Sequence, residues 1–420
     1  MFNKKVKIIF SSAIVLGAII YGITNAIIKK IEENEKRAQL EHIKRMKKDL
    51  RNKLSNSFIE SKDFPCEAVI DDKKVVLKYS IDEKLSKYIK KLLKRYRSDF
   101  SSVTVIDNNS GQVLAAIGYE RNGNKTNNLL PFTSTHPSAS VFKIITSAEL
   151  LEKDEIDIES KIAFSGKSTT LYKYQLKEPK RWKRYQSFER AFAFSNNVIF
   201  GKVAINNIKA QEIFEMANKF GFNTQLMNDV YLPTSVFNMP EDQYNLAELA
   251  SGFNRKTLMS PIHGAVIASI VANDGVLKYP SIIDRIIEKD SGKEIELFSH
   301  GEKRVIQEQT SEELQELMES TVKRGTARGG FRRMTRRVKK LLEIGGKTGT
   351  ITGGVPFGKR DWFVAYAKPK YKNLDSGISI SVMNVNIKKW YVKSTYLANK
   401  IIEYYYRKVQ PIQKTVAEVR

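Results

Sequence analysis

The segment that most restricts this chain is Ile8–Ile28, 21 residues without a charge in a sequence that is 28% charged. A helix rises ~1.5 Å per residue, so the run matches the hydrocarbon thickness of a bilayer. Lys4, Lys5 and Lys7 precede it, as they would a secretory signal. The run is longer than an ordinary signal core, however, and Thr24-Asn25-Ala26 is a poor small-x-small cleavage site. The expectation is an uncleaved single-pass anchor over residues 1–28. Lys29, Lys30, Lys36 and Arg37 follow the run, so the balance of flanking cations leaves its orientation undecided.

Beyond this run the chain has the make-up of a soluble domain. With 41% hydrophobic residues it can bury a sizeable core. Cys66 is the one cysteine, which excludes an internal disulfide framework and any multi-cysteine zinc site. His42, His136, His263 and His300 have no metal-ligand spacing, so no metal and no cofactor are expected. The formal charge of +25 calls for an anionic partner or a solvated basic surface. Nucleic acid is not expected, because charge alone points to it and no recognition motif accompanies the charge.

Residues 29–74 read as a helical stalk and linker. Leu40, Ile43, Met46, Leu50 and Leu54 share one helix face, and Asp63-Phe64-Pro65 breaks the helix. A strand at Val75–Tyr79 and a charged helix over about 81–97 follow. Ser102–Asp107 and Gln112–Gly118 form a hairpin around Asn108-Asn109-Ser110-Gly111. Helical patterns dominate 140–216 and 246–273. Two strands, Trp362–Ala367 and Ile378–Val385, and a helix over 389–407 close the domain. Strands at both ends with helices between them predict one mixed α/β domain, its central antiparallel sheet built from both ends of the sequence.

Three short motifs carry chemistry. Ser140-Val141-Phe142-Lys143 has the form S-x-x-K, and Pro137 and Ser138 before it are helix-start residues. Ser140 then falls in a first helical turn with Lys143 on the same face. A serine hydroxyl becomes a nucleophile when a base takes its proton, and a lysine is such a base only when burial or a second cation lowers its pKa. Ser195-Asn196-Asn197 supplies a hydroxyl for proton relay and an amide for a carbonyl, although alone it reads more readily as a helix N-cap or turn. Lys347-Thr348-Gly349-Thr350, after Gly345 and Gly346, offers groups for a carboxylate beside glycines that let a substrate backbone approach a strand edge. A phosphate-binding loop is excluded because Leu341 stands where that motif needs glycine.

The ordered set S-x-x-K, S-x-N, K-T-G resembles the penicillin-binding protein and serine β-lactamase superfamily. A second S-x-x-K at Ser320–Lys323 lies after the S-x-N and so reads as an ordinary helix pair. Tyr79–Leu85, Ser110–Ala115, Ser260-Pro261, Ala272–Gly275, Gly325-Thr326-Ala327 and Asp361-Trp362-Phe363 narrow the resemblance to penicillin-binding transpeptidase domains, over about residues 75–408. Residues 409–420 are left as a tail, and the interval after Ile28 holds no glycosyltransferase domain.

The resemblance implies a transpeptidase fold and a membrane-anchored D,D-transpeptidase that cross-links peptidoglycan stem peptides and is trapped by β-lactams. Ser140 is then the nucleophile, Lys143 its base and Ser195 the relay to the leaving D-alanine. Lys347 keeps Lys143 neutral, and the backbone N–H groups of Ser140 and Thr350 form the oxyanion hole. Asn197 orients the peptide, and Lys347, Thr348, Gly349 and Thr350 form the carboxylate-binding strand. Such chemistry places the domain outside the cell membrane, with cell-wall synthesis proteins as possible partners. A D,D-carboxypeptidase, a β-lactamase, and a non-catalytic β-lactam sensor or scaffold share the motifs. The basic runs 177–184 and 324–340 are expected to face anionic wall polymer or lipid head groups.

Overall fold

A computed structural model describes the backbone of residues 2–61, 64–298, 301–370 and 377–411, and side chains from residue 21 onward in these ranges, residue 61 excepted. In chain order its main elements are α1 (Phe2–Ser61), β1 (Glu67–Ile70), β2 (Lys73–Tyr79), α2 (Glu83–Tyr96), β3 (Phe100–Asp107), β4 (Val113–Glu120), α3 (Lys143–Glu152), α4 (Phe188–Ala193) and α5 (Asn197–Asn207). There follow α6 (Gln243–Ala250), α7 (Pro261–Ala272), β5 (Ile283–Glu288), α8 (Glu308–Lys323), β6 (Leu342–Gly353), β7 (Gly358–Pro369), β8 (Ile378–Asn386) and α9 (Ser394–Tyr404).

The central sheet has the order β6-β7-β8-β3-β4 with a short sixth strand, Lys125–Thr126, and every neighbouring pair is antiparallel. The two ends of the sequence meet where β8 pairs with β3, from Ile378 opposite Asp107 to Val385 opposite Phe100. Alternation along each strand then defines two cores. Trp362, Val364 and Tyr366 of β7 enter the larger core, while Phe363, Ala365 and Ala367 enter the smaller one.

The smaller core lies under α2 and α9. Leu85, Ile89, Leu92 and Leu93 meet Leu397, Ile401 and Ile402 there. Asp82 starts α2 by accepting the Leu85 N–H at 2.6 Å, and Arg97 ends it in a left-handed conformation. The larger core centres on α7, buried at all twelve positions, as expected of a helix apolar on every side. Ser260 caps it and Pro261 occupies its first turn. Gly264 lets α7 lie close to the sheet, since a Cβ there would sit 2.6 Å from Ser381 Oγ and 2.9 Å from Val364 Cγ2.

The stalk helix joins this core at its C-terminal end. Leu50, Leu54 and Phe58 are buried, and Ile43 and Met46 pack against them, whereas Leu40 is exposed. Phe58 stacks on Phe64 at 4.2 Å and meets Phe132 edge-on at 5.4 Å. Of the expected anchor Ile8–Ile28, the side chains before Tyr21 lie outside the described residues, and among the described residues no helix is long and apolar enough to cross a membrane. The expected tail 409–420 lies almost wholly outside the described residues too.

Two expectations need correction. The stretch 140–216 is not continuously helical: Lys161–Phe164 and Arg184–Ser187 pair as an antiparallel hairpin around a long loop, strands too short to show alternation in the sequence. The last helix starts at Ser394 rather than near Lys389: Asp361 Oδ2 accepts the Ser394 N–H at 2.7 Å and the Trp390 indole N–H at 3.3 Å, and 390–393 stay outside the helix.

Phe58→Ala should lower unfolding stability by about 3–5 kcal/mol, measured by urea unfolding of the full chain in detergent. An unchanged midpoint would show that the end of α1 is not part of the domain core.

Candidate active site

Ser140 sits on a single 3-10 turn, Ala139–Phe142, that leads directly into α3. Ala139 before it has φ +51°, a left-handed conformation uncommon for a residue with a side chain. Gly252 makes the turn possible from beneath: a Cβ at 252 would lie 2.0 Å from the Ala139 carbonyl oxygen. The turn is also held from the sheet, where the Trp362 indole donates to the Pro137 carbonyl at 3.0 Å.

Lys143 is the first residue of α3 and is fully buried. Its Nζ lies 3.1 Å from Ser140 Oγ, 2.8 Å from Asn197 Oδ1, and against the Ser251 carbonyl oxygen. Burial, then the charge of Lys347, pushes its pKa well below that of an ordinary lysine. A neutral amine has two N–H donors and one lone pair. Asn197 Oδ1 and the Ser251 carbonyl can only accept, so they take the two N–H groups. The lone pair is then left for the Ser140 hydroxyl.

The second motif is built on the loop between α4 and α5. Ser195 has φ +57°, and Asn196 caps α5 by accepting the Ile199 N–H at 3.2 Å. The middle asparagine is thus the cap, which leaves Ser195 and Asn197 to face the cavity. Asn197 holds Lys143 with its carbonyl oxygen and the loop at Thr169 with its amide nitrogen, 3.1 Å from that residue's carbonyl. Both ends of its side chain are therefore already engaged.

The third motif lies on β6, which among the described residues is an edge strand paired with β7 alone. Lys347 is fully buried and donates to Ser195 Oγ at 3.1 Å, and burial brings its pKa down to about 7. Thr348 is half-buried, its Oγ1 2.6 Å from Thr326 Oγ1, and Thr350 is exposed. Gly349 packs tightly against Ala139 and Trp362, its ideal Cβ 3.2–3.3 Å from theirs. Gly345 and Gly346 serve a different purpose from the expected one. A Cβ on either would strike the ring of Tyr366 or Phe363 on β7, so these glycines accommodate aromatic packing on the two sheet faces.

The structure brings all of Ser140, Lys143, Ser195, Asn197, Lys347, Thr348, Gly349 and Thr350 to one place. Five of them, Ser140, Ser195, Asn197, Thr348 and Thr350, line a cavity of about 820 Å³ together with Thr326, Gly329, Gly330, Thr395 and Tyr396, and Lys143 and Lys347 lie directly behind Ser140 and Ser195. Ser320 is elsewhere. Its hydroxyl donates to Glu189, which also pairs with Arg324 at 2.7 Å, while Lys323 is exposed beside Glu319. The sequence reading missed the Ser251 carbonyl, a backbone group that no residue type announces, and the role of Thr326 as a prop for Thr348. Among the described residues no three His, Cys, Asp or Glu side chains gather as metal ligands.

Residues 101–402 match the penicillin binding protein transpeptidase domain, which is more than half of the chain. The chain belongs to the penicillin-binding protein transpeptidase family. Stage V sporulation protein D of Bacillus subtilis (strain 168) is 26% identical over 230 residues, 53% of this chain and 34% of that relative, so the chain spans about a third of the relative's length. The fold is similar to the D,D-transpeptidase domain of a peptidoglycan glycosyltransferase from Eggerthella lenta, with TM-score 0.63, 18% identity and coverage of 80% of this chain and 84% of that one. It is equally similar to penicillin binding protein 3 from Mycobacterium tuberculosis complexed with aztreonam, with TM-score 0.64, 18% identity and coverage of 81% and 80%. In this penicillin-binding domain, cavity and motifs coincide on the seam between sheet and helices.

The two lysines generate a pH prediction. Both pKa values are lower in the folded chain than the ordinary lysine value, so folding releases protons, and the cost of burying the lysines falls as pH rises toward that value. Lys347→Gln removes a repelling cation and raises the pKa of Lys143. The ascending limb of Ser140 acylation rate against pH should therefore move to higher pH, read by stopped-time penicillin labelling. A limb that stays in place would mean that the two amines are not coupled.

Proposed function

We propose that this chain is a membrane-anchored D,D-transpeptidase of peptidoglycan synthesis, with Ser140 as nucleophile and β-lactams as inhibitors. The observation that carries the reading is the buried Lys143 amine, held by the Asn197 Oδ1 and Ser251 carbonyl oxygens and 3.1 Å from Ser140 Oγ.

The reaction follows from that geometry. Lys143 takes the Ser140 proton as Oγ attacks the carbonyl carbon of the penultimate D-alanine. The N–H groups of Ser140 and of Thr350, on the outer edge of β6, stabilise the oxyanion. The peptide C–N bond breaks, and Ser195, hydrogen-bonded to Lys347, passes the proton to the leaving D-alanine amine. Lys347, Thr348 and Thr350 hold the terminal carboxylate. The amine of a second stem peptide then attacks the acyl-serine, restoring the Ser140 hydroxyl and forming the cross-link. The unpartnered edge of β6 suits this substrate, because an extended peptide can add to it as a further strand. Asn197, already spent on Lys143 and Thr169, acts here by fixing the base and contacts the peptide only where it borders the cavity.

The uncharged run Ile8–Ile28 supports a single-pass anchor, with the catalytic domain on the outer face of the cell membrane, where the substrate lies. Other cell-wall synthesis proteins are natural partners at that surface.

Incubation of the full chain with fluorescent penicillin should give a stable covalent adduct that Ser140→Ala abolishes. Lys143→Ala should slow its formation by about 10²–10⁴-fold, the usual worth of a positioned base. Intact mass decides the reading: no adduct on folded protein removes the nucleophile assignment, and rapid loss of the adduct to water makes the chain a β-lactamase. With an adduct established, a stem-peptide substrate and an added amine should yield cross-linked product, whereas D-alanine release without it would identify a carboxypeptidase.

A further inference from the structure

Between Arg324 and Leu342 the sequence holds eight basic residues and no acidic one. The fold presents these residues in an organised way. Arg328–Phe331 and Arg336–Leu341 are two short helical turns between α8 and β6. Their apolar side chains Phe331, Met334 and Val338 are all buried in the smaller core. Arg328, Arg332, Arg333, Arg336, Arg337, Lys339 and Lys340 are all exposed.

Arg324 has a carboxylate partner in Glu189. Among the described residues, none of the other seven makes an ion pair or a side-chain hydrogen bond. Seven uncompensated cations within thirteen residues repel one another, and only an external anion relieves that repulsion.

The segment is also fixed in place. Asn399 of α9 donates to the Gly330 carbonyl at 2.8 Å, and Glu403 accepts both the N–H, at 3.1 Å, and the hydroxyl of Thr335. A Cβ at Gly330 would lie 2.4 Å from Thr395 Oγ1, so the backbone lies directly on α9. A surface held this way loses little conformational entropy on binding. Gly329 and Gly330 line the catalytic cavity, so the cations begin at its rim.

We propose that residues 328–340 form a docking surface for a linear phosphodiester polymer that lies beside the catalytic cavity. Five of the seven cations are arginines, whose planar fork pairs with phosphate oxygens two at a time. An anionic bilayer fits less well. A helix that binds a membrane surface inserts a free apolar face, and here Phe331, Met334 and Val338 are all committed to the core. Single-stranded nucleic acid fits less well too, because it is held by stacking on aromatic rings and the one aromatic in the segment, Phe331, is buried. The surface reads charge and spacing, and would keep the enzyme near wall material that carries such a polymer. This wall setting rests on the proposed function; the binding chemistry does not.

The test uses the full chain in detergent and labelled poly(glycerol phosphate), with the quadruple variant Arg332→Gln, Arg333→Gln, Arg336→Gln, Arg337→Gln beside it. Fluorescent penicillin labelling is measured on the same samples. Binding should weaken at least about tenfold between ~50 and ~200 mM salt, as expected of multiple phosphate contacts. The variant should lose at least about tenfold in affinity and keep its penicillin labelling. The proposal is overturned by absent binding, by equal binding of the variant, or by a preference, at matched phosphate concentration, for phosphatidylglycerol vesicles or for single-stranded DNA. Failure of penicillin labelling in the parent chain with polymer binding intact would strike the proposed function and leave this surface standing.

Discussion

Everything at this site depends on one amine kept out of water. Lys143 is enclosed by the apolar packing of α3 and α5, with the ring of Phe200 5.2 Å from its nitrogen. An ammonium there would forgo most of its hydration, which lowers the pKa and favours the neutral amine that a base requires. Burial alone does not aim a lone pair. That is the work of the Asn197 oxygen at the start of α5 and the Ser251 carbonyl at the end of α6, which fix the direction left for Ser140. The left-handed Ala139, the glycine at 252 and the indole of Trp362 then hold the hydroxyl in that direction. Two residues with side chains in the left-handed region, Ala139 and Ser195, lie where this geometry is set.

The sheet accounts for the other half of the site. Placing β6 at the edge leaves the K-T-G strand with one neighbour and one open side. The buried Lys347 reaches across to Ser195, so a side-chain hydrogen bond registers the edge strand against the α4–α5 loop. Thr326 adds a second link, with its N–H 3.0 Å from the Ala193 carbonyl and its hydroxyl against Thr348. The cavity therefore lies between layers that are stitched together at its own rim, which limits how far its walls can separate.

The sequence revealed the motif residues because each needs a particular functional group: a hydroxyl, an amine, an amide. Their order along the chain distinguished Ser140 from Ser320, and the fold explains the difference physically, since Ser320 has given its hydroxyl to Glu189 and Lys323 points to solvent. The sheet was legible for a related reason: β3, β4, β7 and β8 each carry an apolar-rich run long enough to read as a strand. The hairpin Lys161–Phe164 with Arg184–Ser187 was not legible, because four residues of mixed polarity carry no period. Nor was the work of the backbone. The Ser251 carbonyl could belong to any residue, and the true reason for Gly345 and Gly346 lies in the rings of Tyr366 and Phe363, some twenty residues further along the chain.

The division into two cores also explains how one short segment can border both the motif cavity and the outer surface. The connection 324–341 leaves α8 at the catalytic rim, crosses onto the α9 side and returns as β6. To make that crossing it must bury an apolar side chain every three or four residues, which Phe331, Met334 and Val338 provide. With those positions committed, every remaining long side chain of the segment must point outward. A sequence under no other demand could fill the outward positions with any polar residues, of either sign. Here all eight of the charged ones are cations. Packing explains why these positions are exposed, and it does not explain their uniform sign. The uniform sign is the feature that asks for a partner outside the fold.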